Sequence, residues 1–144
     1  MTRIDFYQVD KAESSLLFAC RLIDKIYHGG HKIHVHTSGE EQSAELDKLI
    51  WSFRESRFIP HACYDEQGKI DEDLSVQICH KQEPDLHRDI LVNLSGQVPD
   101  FFSRFERVAE VVPLDKDSRE SARVNYKFYK DRGYPLAYHD LSKK

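Results

Sequence analysis

Residues 4–36, IDFYQVDKAESSLLFACRLIDKIYHGGHKIHVH, decide the fold of this chain, because two short β patterns flank one helical pattern. Residues 4–9 predict a first strand. Residues 13–27 predict an amphipathic helix, since apolar side chains recur there at intervals of three and four positions. Gly29 and Gly30 end this helix, because glycine readily adopts the left-handed conformation that closes a helix.

A second strand and a second helix follow directly. Residues 32–36 predict the strand, with two histidines on one face and two apolar residues on the other. Ser38 and Glu41 have the spacing of a capping box and open the helix. The core stripe of that helix consists of apolar residues three or four positions apart, namely Leu46, Leu49, Ile50 and Phe53. An alternation of strands and helices predicts a largely parallel sheet covered by helices.

The rest of the chain continues this alternation after an acidic interruption. Residues 63–74 hold five acids and one lysine and predict a solvated loop. Residues 75–80 and 89–94 predict strands, and the unbroken Ile-Leu-Val run in the latter is typical of a central strand buried on both faces. Pro99 opens a short helix, and residues 108–112 form a further strand.

These patterns predict one α/β domain over residues 1–144, with three layers and a mostly parallel sheet covered by helices. The chain of 144 residues is long enough for one sizeable core, and 40% of it is hydrophobic. No GxGxxG, GxxxxGK[ST], GxSxG or HExxH motif is present, so the phosphate-binding and hydrolytic motifs that indicate an enzyme are absent, and we expect no cofactor.

Charge and hydropathy exclude several classes of protein. The net charge of −4 gives no global attraction to nucleic acid or to an anionic membrane. No apolar run approaches the length of a membrane span, and the first ten residues lack the apolar stretch of a signal peptide, so we expect a cytoplasmic protein. Cys20, Cys63 and Cys79 are odd in number and have no CxxC spacing, which favours reduced structural thiols.

A basic stripe is the main candidate binding feature. Residues 117–130, DSRESARVNYKFYK, predict a helix with Asp117 as its N-cap, Glu120 as its third residue and Gly133 after its end. Four cations of this helix fall within an arc of roughly 80° on one face: Arg119, Arg123, Lys127 and Lys130. Arg119 lies in the first turn, where the helix dipole disfavours a positive charge.

The stripe has two interpretations. It is either an ordinary solvated face or a site for an acidic peptide, because arginine binds carboxylates bidentately. Val112 and Tyr126 lie near enough in sequence to add an apolar pocket to such a site. Direct binding of single-stranded nucleic acid is a weaker alternative, since the chain is acidic overall and shows no basic-aromatic groove.

The histidines suggest a further alternative, a small metal-dependent enzyme. His34 and His36 occupy alternate positions of one strand, as two neighbouring ligands would, and His31 lies close by. A third ligand has no candidate by local spacing, although His80 or His87 can arrive through the fold. Polar histidines on a strand face are therefore the favoured interpretation, with no metal.

A second candidate surface surrounds the single tryptophan. Trp51 lies about 140° from the apolar stripe of its helix, so it is available either to a partner or to a following loop. Phe58, Ile59 and Pro60 form an apolar turn with arginines nearby. Exposed aromatics rimmed by arginine are typical of protein interfaces.

Several segments resemble a known family. They are FYQVD at 6–10, LDKLIWSFRESRFIPH at 46–61, RDILVNLS at 88–95 and VVPLDKDSRESARVNYKFYKDRGY at 111–134. In the order and spacing of these segments, the chain resembles the chi subunit of bacterial DNA polymerase III, a component of the clamp-loader assembly. This resemblance implies a non-catalytic adaptor with a nucleotide-binding-like fold. Its implied partners are the psi subunit and the acidic, Phe-terminated tail of single-stranded DNA-binding protein, with DNA contacted only indirectly.

The resemblance also assigns residues. The tail-binding cations of the family fall on Arg119 and Arg123, with Val112 at the adjoining apolar wall. The residue pattern of the helix itself adds Tyr126 and Lys127 to this predicted site.

The psi-binding aromatic of the family falls on Phe58, beside Ile59 and Pro60, and Trp51 matches a tryptophan of the preceding helix. The same Phe58 face is implied to serve a repair helicase as an alternative partner. Residues 63–74 and the histidines at 31, 34 and 36 differ from the family, so no partner contact transfers to them.

Overall fold

In the computed structural model of the chain, the segments with the predicted apolar periodicity form strands and helices. The structure describes residues 2–9, 15–52, 61–63, 76–79 and 89–140, with the main chain alone at 61–63. Its elements, in chain order, are β1 (Arg3–Gln8), α1 (Ser15–His28), β2 (Ile33–His36), α2 (Glu40–Ser52), β3 (His61–Cys63), β4 (Val76–Cys79), β5 (Ile90–Asn93), a 3-10 turn (Phe102–Arg104), β6 (Arg107–Val112), α3 (Lys116–Asp131) and β7 (Leu136–Asp140).

The described strands form one open sheet in the order β3-β4-β2-β5-β6-β1-β7, and every neighbouring pair is parallel. All four residues of β5 are buried, and β5 lies in the middle of this order, as its continuous apolar run predicts. The α/β class and the parallel sheet predicted from sequence are confirmed.

Two apolar clusters separate the sheet from its helices. On one face, α1 and α2 pack on alternate residues of the inner strands, with Ile23, Ile33 and Leu46 fully buried. On the other face, α3 and the 3-10 turn cover β1, β5 and β6, with Phe6 and Tyr129 at the centre. Burial of each such large side chain contributes about 1.5–3 kcal/mol relative to exposure. The layers are therefore helix, sheet and helix.

The helix starts differ from the predicted ones. α3 begins at Lys116, and its N-cap is Asp115, whose carboxylate accepts the N–H of Ser118 at 2.9 Å. The prediction of Asp117 as N-cap was wrong by two residues, because Asp115 also has capping chemistry and extended backbone. Arg119 consequently lies at the end of the first turn, where its N–H donates to the carbonyl oxygen of Asp115 at 3.1 Å.

The start of α2 shows a smaller error. The helix begins at Glu40, so Gln42 rather than Glu41 reaches back, and its Oε1 accepts the N–H of Ser38 at 2.8 Å. The helix ends fit the prediction better. Gly30 and Gly133 follow α1 and α3 with φ of 87° and 80°, in the left-handed region.

Two strands were not predicted. β3 begins at His61, directly after the predicted apolar turn, and β7 occupies residues left unassigned after Gly133. Both are short strands at the two edges of the sheet, where the apolar pattern is weakest. Cys20 is a buried free thiol, as predicted, and burial raises its pKa to about 11. Cys79 is buried as well.

Candidate peptide-binding site

The basic stripe of α3 faces solvent. Arg119, Arg123, Lys127 and Lys130 are all exposed, whereas Ala122 and Tyr129, on the adjoining face of the helix, are buried. This division follows from the helical period, since residues three or four apart share a face.

A cavity of about 360 Å³ opens where α3 meets β7. It is lined by side chains of both elements, Arg119, Ala122, Arg123, Tyr126 and Tyr138. Behind it lies an aromatic cluster, in which the Phe6 ring stacks on Tyr138 at 6.0 Å between centroids and contacts Tyr126 at 5.5 Å. The cavity therefore combines two guanidinium groups with an aromatic wall.

Tyr138 is held by a hydrogen-bond chain across the sheet. Its hydroxyl donates to Oε1 of Gln8 at 3.0 Å, and Gln8 Nε2 donates to the carbonyl oxygens of Val112 and Pro113 at 3.3 Å each. Gln8 is 4% exposed, and its amide makes all three of these hydrogen bonds, so it fixes the orientation of the tyrosine. The ring thus has a defined place at the mouth of the cavity.

The electrostatics of Tyr138 reflect both arginines. Burial raises the pKa of its hydroxyl above the usual 10.0, and the Asp140 carboxylate raises it further. The positive charges of Arg119 and Arg123 act in the opposite direction. The phenol is therefore neutral at physiological pH, and the cavity carries net positive charge from its two arginines.

This arrangement fits recognition of a carboxylate next to an apolar group. Two arginines supply charged, fork-shaped donors, and the tyrosines supply flat apolar surface with polar edges.

The other predicted tail-site residues lie around this cavity. Val112 is 3% exposed and lines a neighbouring cavity of about 210 Å³, which shares Ala122 with the first. Lys127 is exposed on α3 and does not line either cavity. Arg119, Arg123 and Tyr126 are brought together as the stripe suggests.

Of the predicted psi-site residues, Trp51 alone is described. Its side chain is 59% exposed near the end of α2. Phe58, Ile59 and Pro60 lie outside the described residues. An exposed tryptophan is a usual anchor of protein interfaces.

Sequence reasoning missed Tyr138 and a buried polar group beneath α3. The available signal for Tyr138 was the β-like segment Leu-Ala-Tyr-His after Gly133. Glu110 is 4% exposed on β6, where its carboxylate accepts from Asn93 Nδ2 at 3.0 Å and from the Tyr129 hydroxyl at 3.1 Å. A glutamate within the run Val-Ala-Glu-Val-Val was the available signal for this group.

Both histidines of β2 contact the same aromatic ring on one face of the sheet. His34 is completely buried, and its ring contacts Phe101 edge-on at 5.7 Å between centroids. His36 contacts the same ring at 5.4 Å. Across the ranges that the structure describes, no group of three or more His, Cys, Asp or Glu side chains is placed to hold a metal ion.

These features define an α/β domain with a basic and aromatic cavity at its surface. Many proteins share this fold, and the side chains of the site decide what each of them binds. None of the described helices is long and apolar enough to cross a membrane.

Comparison with known proteins identifies the family. Residues 1–137 match the family model described as DNA polymerase III chi subunit, HolC. The chain is 41% identical over 143 residues to DNA polymerase III subunit chi of Pseudomonas aeruginosa, which covers 98% of each protein. It is also 29% identical over 119 residues to the subunit of that name from Haemophilus influenzae, covering 83% of this chain and 82% of the relative.

For the Escherichia coli subunit chi the identity is 25% over 128 residues, covering 89% of this chain and 86% of the relative. The chain therefore belongs to the DNA polymerase III chi subunit family, and its role is in DNA replication. The resemblance seen in the sequence is confirmed.

Proposed function

We propose that this protein is a non-catalytic adaptor that joins the clamp loader, through the psi subunit, to the acidic tail of single-stranded DNA-binding protein. Its family membership supports a place in the polymerase assembly. Two modest contacts on one small domain keep the polymerase near template DNA that single-stranded DNA-binding protein covers, because they raise the effective concentration of the polymerase there.

The observation that carries the tail-binding half is the cavity between α3 and β7. Arg119 and Arg123 receive carboxylates of the tail, and Tyr126 with Tyr138 receives its apolar end. Val112 contributes through the neighbouring cavity, and exposed Lys127 adds long-range attraction. The protein as a whole carries −4, so this attraction is a local property of the stripe.

The psi-binding half is proposed for the surface around Trp51, together with Phe58, Ile59 and Pro60. Exposure of 59% for a tryptophan supports an interface there, because burying such a ring against a partner removes a large apolar area from water. Trp51 is on α2, and α2 packs on the sheet face opposite α3. The two proposed contacts therefore do not compete for one surface.

The test is a fluorescence titration with a short peptide ending in Asp-Asp-Asp-Ile-Pro-Phe. We expect saturable binding that weakens as salt rises, because exposed charge pairs are screened over about 8 Å at physiological ionic strength. Arg123→Ala should weaken binding at least about tenfold, as expected for loss of a charged hydrogen-bonding partner.

Lys25→Ala is the matched control, because it also removes one exposed cation but lies on α1, on the other face of the sheet. It should leave the affinity within about twofold. No binding by the unaltered protein, or equal losses in the two variants, would contradict the proposal.

A further inference from the structure

The outer edge of β7 is open beside the cavity. β7 pairs with β1 on one side, and no strand of the described chain lies on its other side. An edge strand presents main-chain N–H and C=O groups to any extended peptide that lies against it.

The register with β1 decides which residues of β7 present these groups. The N–H of Ile4 donates to the carbonyl oxygen of Pro135 at 2.9 Å, and Ile4 is aligned with Leu136. Along a parallel strand, the main-chain groups of successive residues point alternately to the two sides. Those of Ala137 therefore face β1, and those of Leu136 and Tyr138 face the open edge.

Tyr138 consequently faces the cavity and the open edge at once. Its side chain lines the cavity with Arg119 and Arg123, while its N–H and C=O point outward from the sheet. A peptide that reaches the two arginines from the side of β7 passes directly along these main-chain groups.

The spacing of the arginines fits an extended peptide. Arg119 and Arg123 are four residues apart on α3, which corresponds to a rise of about 6 Å along the helix axis. Alternate side chains of an extended strand are about 6.6 Å apart and point to the same face. Because α3 connects two strands that both run parallel to β1, it runs back along β7, and the two repeats lie side by side.

We propose that an extended acidic peptide adds a strand to the open edge of β7, hydrogen-bonded to the main chain of Tyr138, with alternate carboxylates on Arg119 and Arg123. The positive charge of the cavity selects an acidic occupant. This inference rests on the proposed function, since it describes how the same site holds the tail. The main chain supplies affinity, and the arginines supply specificity and direction.

N-methylation of the peptide tests this mode without altering the protein. Two versions of the peptide ending in Asp-Asp-Asp-Ile-Pro-Phe carry two methyl groups each, one on the second Asp and Ile nitrogens and the other on the first and third Asp nitrogens. Side chains and charge are identical in both. Since alternate N–H groups of an added strand face β7, one version should lose at least about tenfold in affinity and the other should stay within about threefold of the parent.

The outcomes separate the two proposals. If the parent peptide binds and both methylated versions bind alike, strand addition is refuted and the tail site stands. If the parent does not bind, both proposals fall. If exchange of the Tyr138 N–H is already slow in a dimer of the protein that saturating peptide does not dissociate, β7 serves pairing between copies and the inference is overturned.

Amide exchange gives an independent readout on the protein. Saturating peptide should slow exchange of the Tyr138 N–H at least about tenfold, because that N–H gains a partner. The N–H of Ala137 already faces β1 and is the internal control, since its exchange should change much less. Unchanged exchange at Tyr138 in the presence of bound peptide would refute strand addition.

Discussion

Buried Glu110 should make the stability of this protein fall as pH rises. Burial raises the pKa of its carboxyl from 4.5 to about 8, against the lowering effect of hydrogen bonds from Tyr129 and Asn93. The folded protein therefore retains a proton that the unfolded chain loses above pH 4.5. The stabilisation from this proton is complete below pH 4.5 and is lost progressively as pH rises to about 8.

The magnitude follows from these two pKa values. With 4.5 unfolded and about 8 folded, linkage gives a loss of about 3 kcal/mol in the free energy of unfolding between roughly pH 5.5 and pH 8.5. This loss is a large part of the free energy of unfolding of a typical domain, which is about 5–15 kcal/mol. Tyr129 cannot take over the charge, because burial and Glu110 both raise the pKa of its hydroxyl.

The assay is urea unfolding followed by circular dichroism across this pH range, on the unaltered protein and on Glu110→Gln. Glutamine has nearly the same shape and does not titrate, so subtracting the two curves removes the contribution of histidines and other groups. As pH rises across this range, the unfolding free energy of the unaltered protein should fall by about 3 kcal/mol relative to that of Glu110→Gln. A difference that is constant within about 0.5 kcal/mol, or that shifts in the opposite direction, would refute the reasoning.

Three further substitutions test the local arguments. Asp115→Ala should lower the free energy of unfolding by about 1 kcal/mol in urea, because the N–H of Ser118 loses its cap; no change would show that water replaces the carboxylate fully. Trp51→Ala should cost less than about 1 kcal/mol in the same assay, since the ring is 59% exposed, and a loss of several kcal/mol would mean that the ring is structural. Gln8→Leu should weaken binding of the acidic peptide about three- to tenfold at unchanged salt dependence, because Tyr138 loses the acceptor that aims it; unaltered affinity would remove Gln8 from the site.

The regular part of the fold was predictable because burial imposes periodicity on the sequence. The apolar spacing of α1 and the continuous run of β5 reproduce their observed burial, since each element must present apolar residues to the sheet or to its covering helices. The helix starts were less accurate. Asp115 and Asp117 both carry capping side chains, and the choice between them depends on where the backbone leaves β6.

The candidate site was predictable only in its helical half. Arg119, Arg123 and Tyr126 are close in sequence and share a helix face, so a spacing argument finds them. Tyr138 joins them through β7, a five-residue edge strand with a weak pattern. Gln8 joins through β1, from the other end of the chain.

The sequence by itself determined the α/β class, the main elements, the exposed basic face of α3 and the family of this chain, because each follows from local periodicity, from the spacing of charges or from the order of a few segments. The tertiary structure alone decided the strand order, the neutral Glu110 beneath α3 and the cavity with its open strand edge. These depend on contacts between residues as far apart as Gln8 and Tyr138, and parallel strands that meet only through long crossovers leave no local signal of their pairing.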